Sequence, residues 1–408
     1  MKQYIPLGDL LESSDSGVWG DEDPAAGISV LRSTNFNADG TLDLTKLTFR
    51  KLDARDQSRK LLQAGDILLE KSGGGPKQPV GRVCLFLGDA APHAFGNFIA
   101  RLRAGKAVLS QYLFYYLWQF HSSGKTSHYQ KQTTGIRNLE FRRYLTILVP
   151  VCSIEDQRRI VDQLSRAEGI VRMRRQAQQK AAKLIPALFI DMFGDPATNP
   201  KGLDVVSLGD VLASADYGSS SKASDVDVGL PMIRMGNVDY SGNVDLSALK
   251  YVDLPPEDAV RFGLKDGDIL FNRTNSKELV GKTGLWIGER QAVIASYFIR
   301  LRVAEQMVRP FFVWAFMNTP QMKRVLFETA RGAIGQANIN SRELRAFRIP
   351  LPSLDEQVRF ESRCRDVLAL RSQQGHAMAK ADAAFQALLA QAFTVSSQPA
   401  FDREEATT

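Results

Sequence analysis

Several residue clusters in this chain have the types that do chemistry, and most fail on spacing. Gly281-Lys282-Thr283 and Gly124-Lys125-Thr126 carry the closing letters of a phosphate-cradling loop. That loop needs a Gly five residues ahead of its Gly-Lys pair, and Ser276 and Gln119 stand there instead. Gly73-Gly74-Gly75 would let a backbone approach a phosphate, yet it lacks the dinucleotide-binding spacing and opens no helix. His93, His121, His128 and His376 have no metal-ligand spacing. Asn199-Pro200 runs on as Lys201-Gly202, so the Asn-Pro-Pro-Tyr type of segment used in amino-methyl transfer is missing. Glu70-Lys71 and Lys277-Glu278 lack the carboxylate constellation of a nuclease. The sequence predicts no catalytic residue, no metal site and no cofactor bound by this chain.

What remains are polar loops whose side chains suit base edges and phosphates. The first half offers Lys71, Ser72, Gly73, Gly74, Lys77 and Gln78, then Thr133, Thr134, Arg137 and Asn138. The second half offers Asn272, Arg273, Thr274, Asn275, Ser276 and Lys277, then Arg331, Gln336 and Asn338, with Lys222 and Arg234 as additions. Any one of these residues reads as readily as a solvated turn. As a set they argue for more, because the loops recur at equivalent places while their residues differ. A scaffold kept and tips changed suits two readers of different sequences.

The elements that position these loops occur twice, about 200 residues apart. Leu148-Val149-Pro150-Val151-Cys152-Ser153-Ile154-Glu155-Asp156-Gln157 returns as Arg348-Ile349-Pro350-Leu351-Pro352-Ser353-Leu354-Asp355-Glu356-Gln357. In both, an extended apolar stretch meets Pro, and Ser followed by carboxylates opens a long helix. Pro6-Leu7-Gly8-Asp9-Leu10 returns as Ser207-Leu208-Gly209-Asp210-Val211, and Gly65-Asp66-Ile67-Leu68 as Gly267-Asp268-Ile269-Leu270. Each repeat has turn-rich strands, one buried aromatic helix (near Tyr112 and near Phe311) and two exposed polar loops.

The predicted fold class is α+β: two similar mixed domains joined by two long antiparallel helices, with an internal pseudo-two-fold repeat of about 200 residues. The predicted boundaries are 1–152, a central helix over 153–194, 195–352, a C-terminal helix over 353–395, and a disordered tail over 396–408. Leu164, Val171, Ile185 and Leu188 trace a heptad seam on the first helix. Phe360, Val367, Phe385 and Leu388 trace one on the second. Neither seam is strong enough to stand alone, and each is the nearest partner of the other. Pro186 should kink or end the first. Some ~35 helical residues at ~1.5 Å each make a rod of about 50 Å.

A formal net charge of +7 fits a nucleic-acid partner without proving one. Between Arg158 and Lys183 the first helix is rich in Arg and Lys, which reads as a solvated face, a track for DNA backbone, or a dock for an acidic partner. Cys84, Cys152 and Cys364 are scattered and odd in number, which points to a reducing compartment. The N-terminal residues lack a signal-like apolar core and no run is long enough to span a membrane. A cytoplasmic protein is the expectation.

The order and duplication of these features resemble the specificity subunit of type I restriction–modification systems. The resemblance rests on the paired Gly-Asp-Ile-Leu turns, the Pro-acidic-Gln helix starts, and the helix ends Ala187-Leu188-Phe189 and Leu388 to Phe393. The first helix start lacks the second Pro found at Pro352. Such membership implies two target recognition domains reading a bipartite double-stranded DNA target. It implies helices that set the spacer and dock two methyltransferase subunits, and restriction or translocase subunits can join. S-adenosylmethionine, ATP and Mg would then be used by those partners, and this chain would catalyse nothing. The competing readings are a DNA-reading subunit of another methyltransferase or defence complex, and a non-enzymatic interaction scaffold.

Overall fold

A computed structural model describes residues 2–18, 20–25, 27–74, 79–133, 136–333 and 336–393. The expected tail over 396–408 lies outside the described residues. The chain divides into two compact units, one of Met1–Arg174 with Met378–Thr408, the other of Arg175–Ala377. Each unit therefore takes one repeat together with part of both long helical segments.

The repeats match sheet for sheet, and the smaller sheet of the first unit carries one additional strand, Asp21–Glu22. In the first unit the central sheet has the order Leu11–Ser16, Ile99–Ala104, Ile67–Glu70, Val83–Leu85; in the second it is Leu212–Tyr217, Phe298–Val303, Ile269–Asn272, Thr283–Leu285. The strands Ile67–Glu70 and Ile269–Asn272 are buried at all four positions; three apolar residues in each suit a strand covered on both faces, and a polar one, Glu70 or Asn272, closes it. The Gly-Asp turns that feed them are built alike. Gly65 and Gly267 take φ of +95° and +85°, where a side chain would be strained. Asp66 accepts from Gln63 N at 2.8 Å and holds Arg103 by two bonds; Asp268 accepts from Lys265 N at 2.9 Å and holds Arg302 by two bonds. A smaller sheet in each unit pairs Ile28–Leu31 with His93–Phe95, or Leu230–Ile233 with Val293–Ile294, in parallel.

The aromatic helix α1 (Ser110–Ser122) packs Tyr112, Leu113, Tyr116 and Leu117 onto Ile67 and Leu69 in one core cluster. In the second unit two helices stand where one is expected, since α4 (Pro310–Met317) stops and α5 (Pro320–Thr329) begins. The cause is local: Pro320 cannot extend the preceding helix, and Thr319 caps the new one by accepting from Met322 N at 3.2 Å.

The long helical segments are α2 (Ile154–Ala182), α3 (Leu184–Phe193) and α6 (Leu354–Phe393). Ser153 and Ser353 cap α2 and α6 through Asp156 N and Glu356 N. The repeated Gln is a strut. Gln157, fully buried, accepts from Leu109 N at 2.8 Å and donates to Ala107 O and Cys152 O. Gln357 does the same with Arg309 N, Met307 O and Pro352 O.

The helix expected over 153–194 is broken at Lys183. Pro186 has no N–H for the carbonyl of Ala182, four residues back. Arg371 fills the gap, with Nη2 on Ala182 O at 2.6 Å and Nε on Ala181 O at 3.0 Å. In the same unit Phe360 packs on Phe189 and Phe193, ring centroids 5.9 and 5.2 Å away. Residue numbers rise along α6 as they fall along α2 and α3, so the segments run antiparallel here.

Leu164, Val171, Ile185, Phe360 and Phe385 are buried, and Leu188 and Val367 half-buried. Leu388 departs from the seam: it is 37% exposed, and Leu389 beside it is 1% exposed. A helix of 3.6 residues per turn drifts off a strict seven-residue count, and Phe385 is followed inward by the residue four positions on.

Candidate nucleic-acid interface

The two polar loops of each repeat, distant in sequence, form one small sheet. In the first unit Ser72–Gly74 pairs with Ile136–Leu139, which pairs with Gln130–Thr133. In the second, Thr274–Asn275 pairs with Gln336–Asn338, which pairs with Arg331–Ala333. Each sheet is rooted in the central sheet by matching bonds, Leu139 N to Lys71 O at 2.8 Å and Ile339 N to Arg273 O at 2.9 Å.

This brings most of the candidate residues of each unit together. Ser72 donates to Asn138 Oδ1 at 2.5 Å, Gly74 lies opposite Arg137, and Lys71 Nζ donates to Ser16 Oγ at 2.7 Å. Burial lowers the affinity of the Lys71 ammonium for its proton, with nearby Lys60 adding to the effect. Gly73 is exposed, and Ser72, Arg137 and Asn138 are half-buried. Thr133 occupies the outer strand. Lys77, Gln78 and Thr134 lie outside the described residues.

In the second unit Thr274 sits opposite Asn338, which also faces Arg331, and Gln336 faces Ala333. Asn338 is exposed, while Thr274, Asn275 and Ser276 are half-buried. Arg273 lies over the Tyr217 ring at 4.9 Å and exposed Lys277 over Phe327 at 4.7 Å, so both cations are steered by aromatic faces. Lys222 is exposed on a separate irregular stretch. Arg234 is half-buried beside a 3-10 turn, its N–H bonded to Asn237 Oδ1 at 2.9 Å.

Two candidates are corrected. Gly74 is buried within its strand. Asn272 has no exposed surface; it closes a buried four-residue strand after three apolar residues and accepts from Asn275 Nδ2 at 3.2 Å. It braces a neighbour that is accessible and offers nothing to a groove itself. Tyr217 and Phe327 escaped the sequence reading, as did Phe98 and Tyr297, which sit at matching places. The carbonyls of Phe98 and Tyr297 accept from Lys71 N and Arg273 N, both at 2.9 Å, and the rings are 40% and 41% exposed. An aromatic residue immediately before a buried strand was the available signal.

On α2 the exposed cations are partly paired, Arg166 with Asp162 at 2.9 Å and Arg159 with Asp156. Among the described residues no group of three or more His, Cys, Asp or Glu could hold a metal ion. Nor is any helix among them long and apolar enough to cross a membrane.

Residues 200–363 match the family model of the type I restriction modification DNA specificity domain. The chain is 23% identical over 396 residues to the EcoKI specificity subunit of Escherichia coli K12, covering 90% of this chain and 82% of that one. It is 29% identical over 160 residues to a putative type I restriction enzyme MjaX specificity subunit of Methanocaldococcus jannaschii, where the match spans 39% of this chain and 37% of that one. Its fold is similar to the crystal structure of a type I restriction–modification S subunit from M. genitalium, with a TM-score of 0.58, 12% identity and 97% coverage of both chains. A second solved chain, from a study of type I R-M complex assembly, has a TM-score of 0.54 at 19% identity.

Proposed function

We propose that this chain, which is similar to type I restriction–modification specificity subunits, is one of them and reads a bipartite double-stranded DNA target with one small sheet from each unit. One observation carries this reading. The same three-stranded platform occurs twice on the same scaffold, with Ser72, Arg137 and Asn138 on one copy and Thr274, Asn275 and Asn338 on the other. Identical frames with different polar tips are what two half-sites of different sequence require.

The helical segments supply the second part of the function. Their seams are shared within the chain, and exposed positions such as Leu388 and Met173 remain for partners. In this reading they dock two methyltransferase subunits, with restriction or translocase subunits joining, and their length sets the spacer between half-sites. S-adenosylmethionine, ATP and Mg belong to those partners. The chain positions and does not catalyse, and it works in the cytoplasm.

The test is a methylome of cells carrying the chain with its genomic-neighbour methyltransferase, compared with cells lacking the chain. A split, asymmetric methyladenine motif that vanishes with the chain is the expected result. An unchanged methylome, with the methyltransferase expressed and active, refutes the reading.

A further inference from the structure

The second unit has a half-open cavity of ≈280 Å³ that DNA reading does not use. Ile185 and Pro186, just past the helix break, line it with Trp314 of α4 and Asn318, which follows that helix. Lys323 and Arg371 bring two cations to it.

Three features point to an occupant. Lys323 is 8% exposed, yet among the described residues its ammonium donates only to Gly281 O at 2.9 Å and lies 4.8 Å from the centre of the Tyr240 ring. An ammonium has three donors, so two remain, and no carboxylate pairs with it among the described residues. A cation so placed is costly unless it is matched. Arg371 is held rigid by Ala181 O, Ala182 O and Asn243 Oδ1, all of them uncharged. Asn318 spends its amide N–H groups on Thr283 O and Trp314 O, both at 2.9 Å, which fixes the amide and leaves its buried Oδ1 with no partner among the described residues.

The charged and titratable groups around Lys323 are Asp239, Lys282, Tyr240 and Arg371. The Asp239 carboxylate is engaged by the N–H groups of Ser241 and Asn243 and by the Asn243 amide. Burial pushes Lys323 down to about 7, Asp239 opposes this and Lys282 adds to it.

We propose that this cavity binds a small organic oxyanion. Its carboxylate or phosphate is taken by Lys323 and Arg371, its flat or apolar body lies against Trp314, Ile185 and Pro186, and an N–H or O–H on that body reaches Asn318 Oδ1. A backbone phosphate of DNA does not meet these terms, because Lys323 is too deep for a duplex to approach. In the first unit Thr126 and His121 sit behind the equivalent glycine turn, at Gly81.

The experiment is calorimetric titration of the full chain with benzoate and with phenyl phosphate. The benzoate titrations are run at pH 6 and pH 8 in buffers of different protonation enthalpy. One molecule of probe should bind per chain. Benzoate should take up close to one proton at pH 8, where free Lys323 is largely neutral, and almost none at pH 6. Lys323→Met should weaken binding by about tenfold or more. Tighter binding of benzoate identifies a carboxylate as the natural group, and tighter binding of phenyl phosphate a phosphate. Failure of both probes to saturate at millimolar concentration overturns the site, as does unchanged affinity in Lys323→Met. Proton uptake that is equal at the two pH values does so on the unaltered protein, whether or not the variant folds.

Discussion

At the root of their reading loops the two units share a backbone and differ in charge. Glu70 N donates to Arg82 O and Gly81 N to Glu70 O; Asn272 N donates to Lys282 O and Gly281 N to Asn272 O, all at 2.8 or 2.9 Å. On the side chains the resemblance ends. Arg82 grips Glu70 through Nε and Nη2, both at 2.8 Å, and reaches Ser33 O and Phe36 O. That bond to Glu70 holds the Arg82 proton more tightly than usual. In the second unit, among the described residues, Lys282 reaches only Met235 O, at 3.4 Å, and Asn272 keeps a buried Nδ2 with no partner while its Oδ1 holds Asn275. One loop is tied to the scaffold by a forked ion pair, the other by a single amide contact that involves a reading side chain. The difference teaches that these positions carry backbone geometry in both units, and that their side chains are free to set how stiffly each loop is held.

The widest gap between the units should come from removing those two residues. Glu70→Ala leaves a largely buried guanidinium unpaired and should cost about 3 kcal/mol. Asn272→Ala removes a group already half-satisfied and should cost under about 1 kcal/mol. Denaturant melts of the two variants check this, and equal losses would erase the contrast. The Gln struts are the opposite case, since their bonds are the same in both units. Gln157→Ala and Gln357→Ala should each cost about 2 kcal/mol, from three hydrogen bonds per buried side chain, and a clear inequality would show that the units differ at the helix starts as well.

Reading should separate the units cleanly. Asn275→Ala should relax one half of the target by about tenfold, and Asn138→Ala the other half. Binding measured on duplexes altered in one half at a time gives the answer; a uniform loss on all duplexes would make these residues phosphate anchors.

The most gradual effect, spread over several pH units, is the dependence of stability on pH. Behind the Gly81 turn burial pushes His121 down to about 4, and behind Gly281 burial pushes Lys323 down to about 7. For both groups the unfolded chain binds the proton more strongly. Stability contributed by His121 is therefore lost as pH falls from about 6.5 toward 4, and that tied to Lys323 as pH falls from about 10.5 toward 7. Each slope is at most about 1.4 kcal/mol per pH unit. Melting curves of His121→Phe and Lys323→Met should lose slope in separate windows, and a slope that survives in its own window would clear that residue.

Much of this was legible in the chain because repetition exposes scaffold. Gly65-Asp66 and Gly267-Asp268 recur since only that pair gives both the positive φ and the carboxylate that holds Arg103 or Arg302. Gln157 and Gln357 marked the register before their struts were visible. The loops were legible as loops, but their merger into one sheet was not. Ser72 and Asn138 are 66 residues apart, and no local pattern encodes a pairing over that distance. Asn272 misled because its polarity hides the fact that it completes a buried strand. Tyr217 and Phe327 were passed over because an aromatic residue is core far more often than it is a shelf for a cation.

In each unit the first strand of the repeat lies antiparallel to the last, Gln3–Pro6 against Leu148–Val151 and Asp204–Ser207 against Arg348–Leu351. The chain thus leaves a repeat beside the point where it came in. A genetic crossover falling within those two strands would carry a whole reader across and leave its neighbours in frame. On the proposed function, exchange of such a block would give a new target sequence with no need to rebuild the reading surface one substitution at a time.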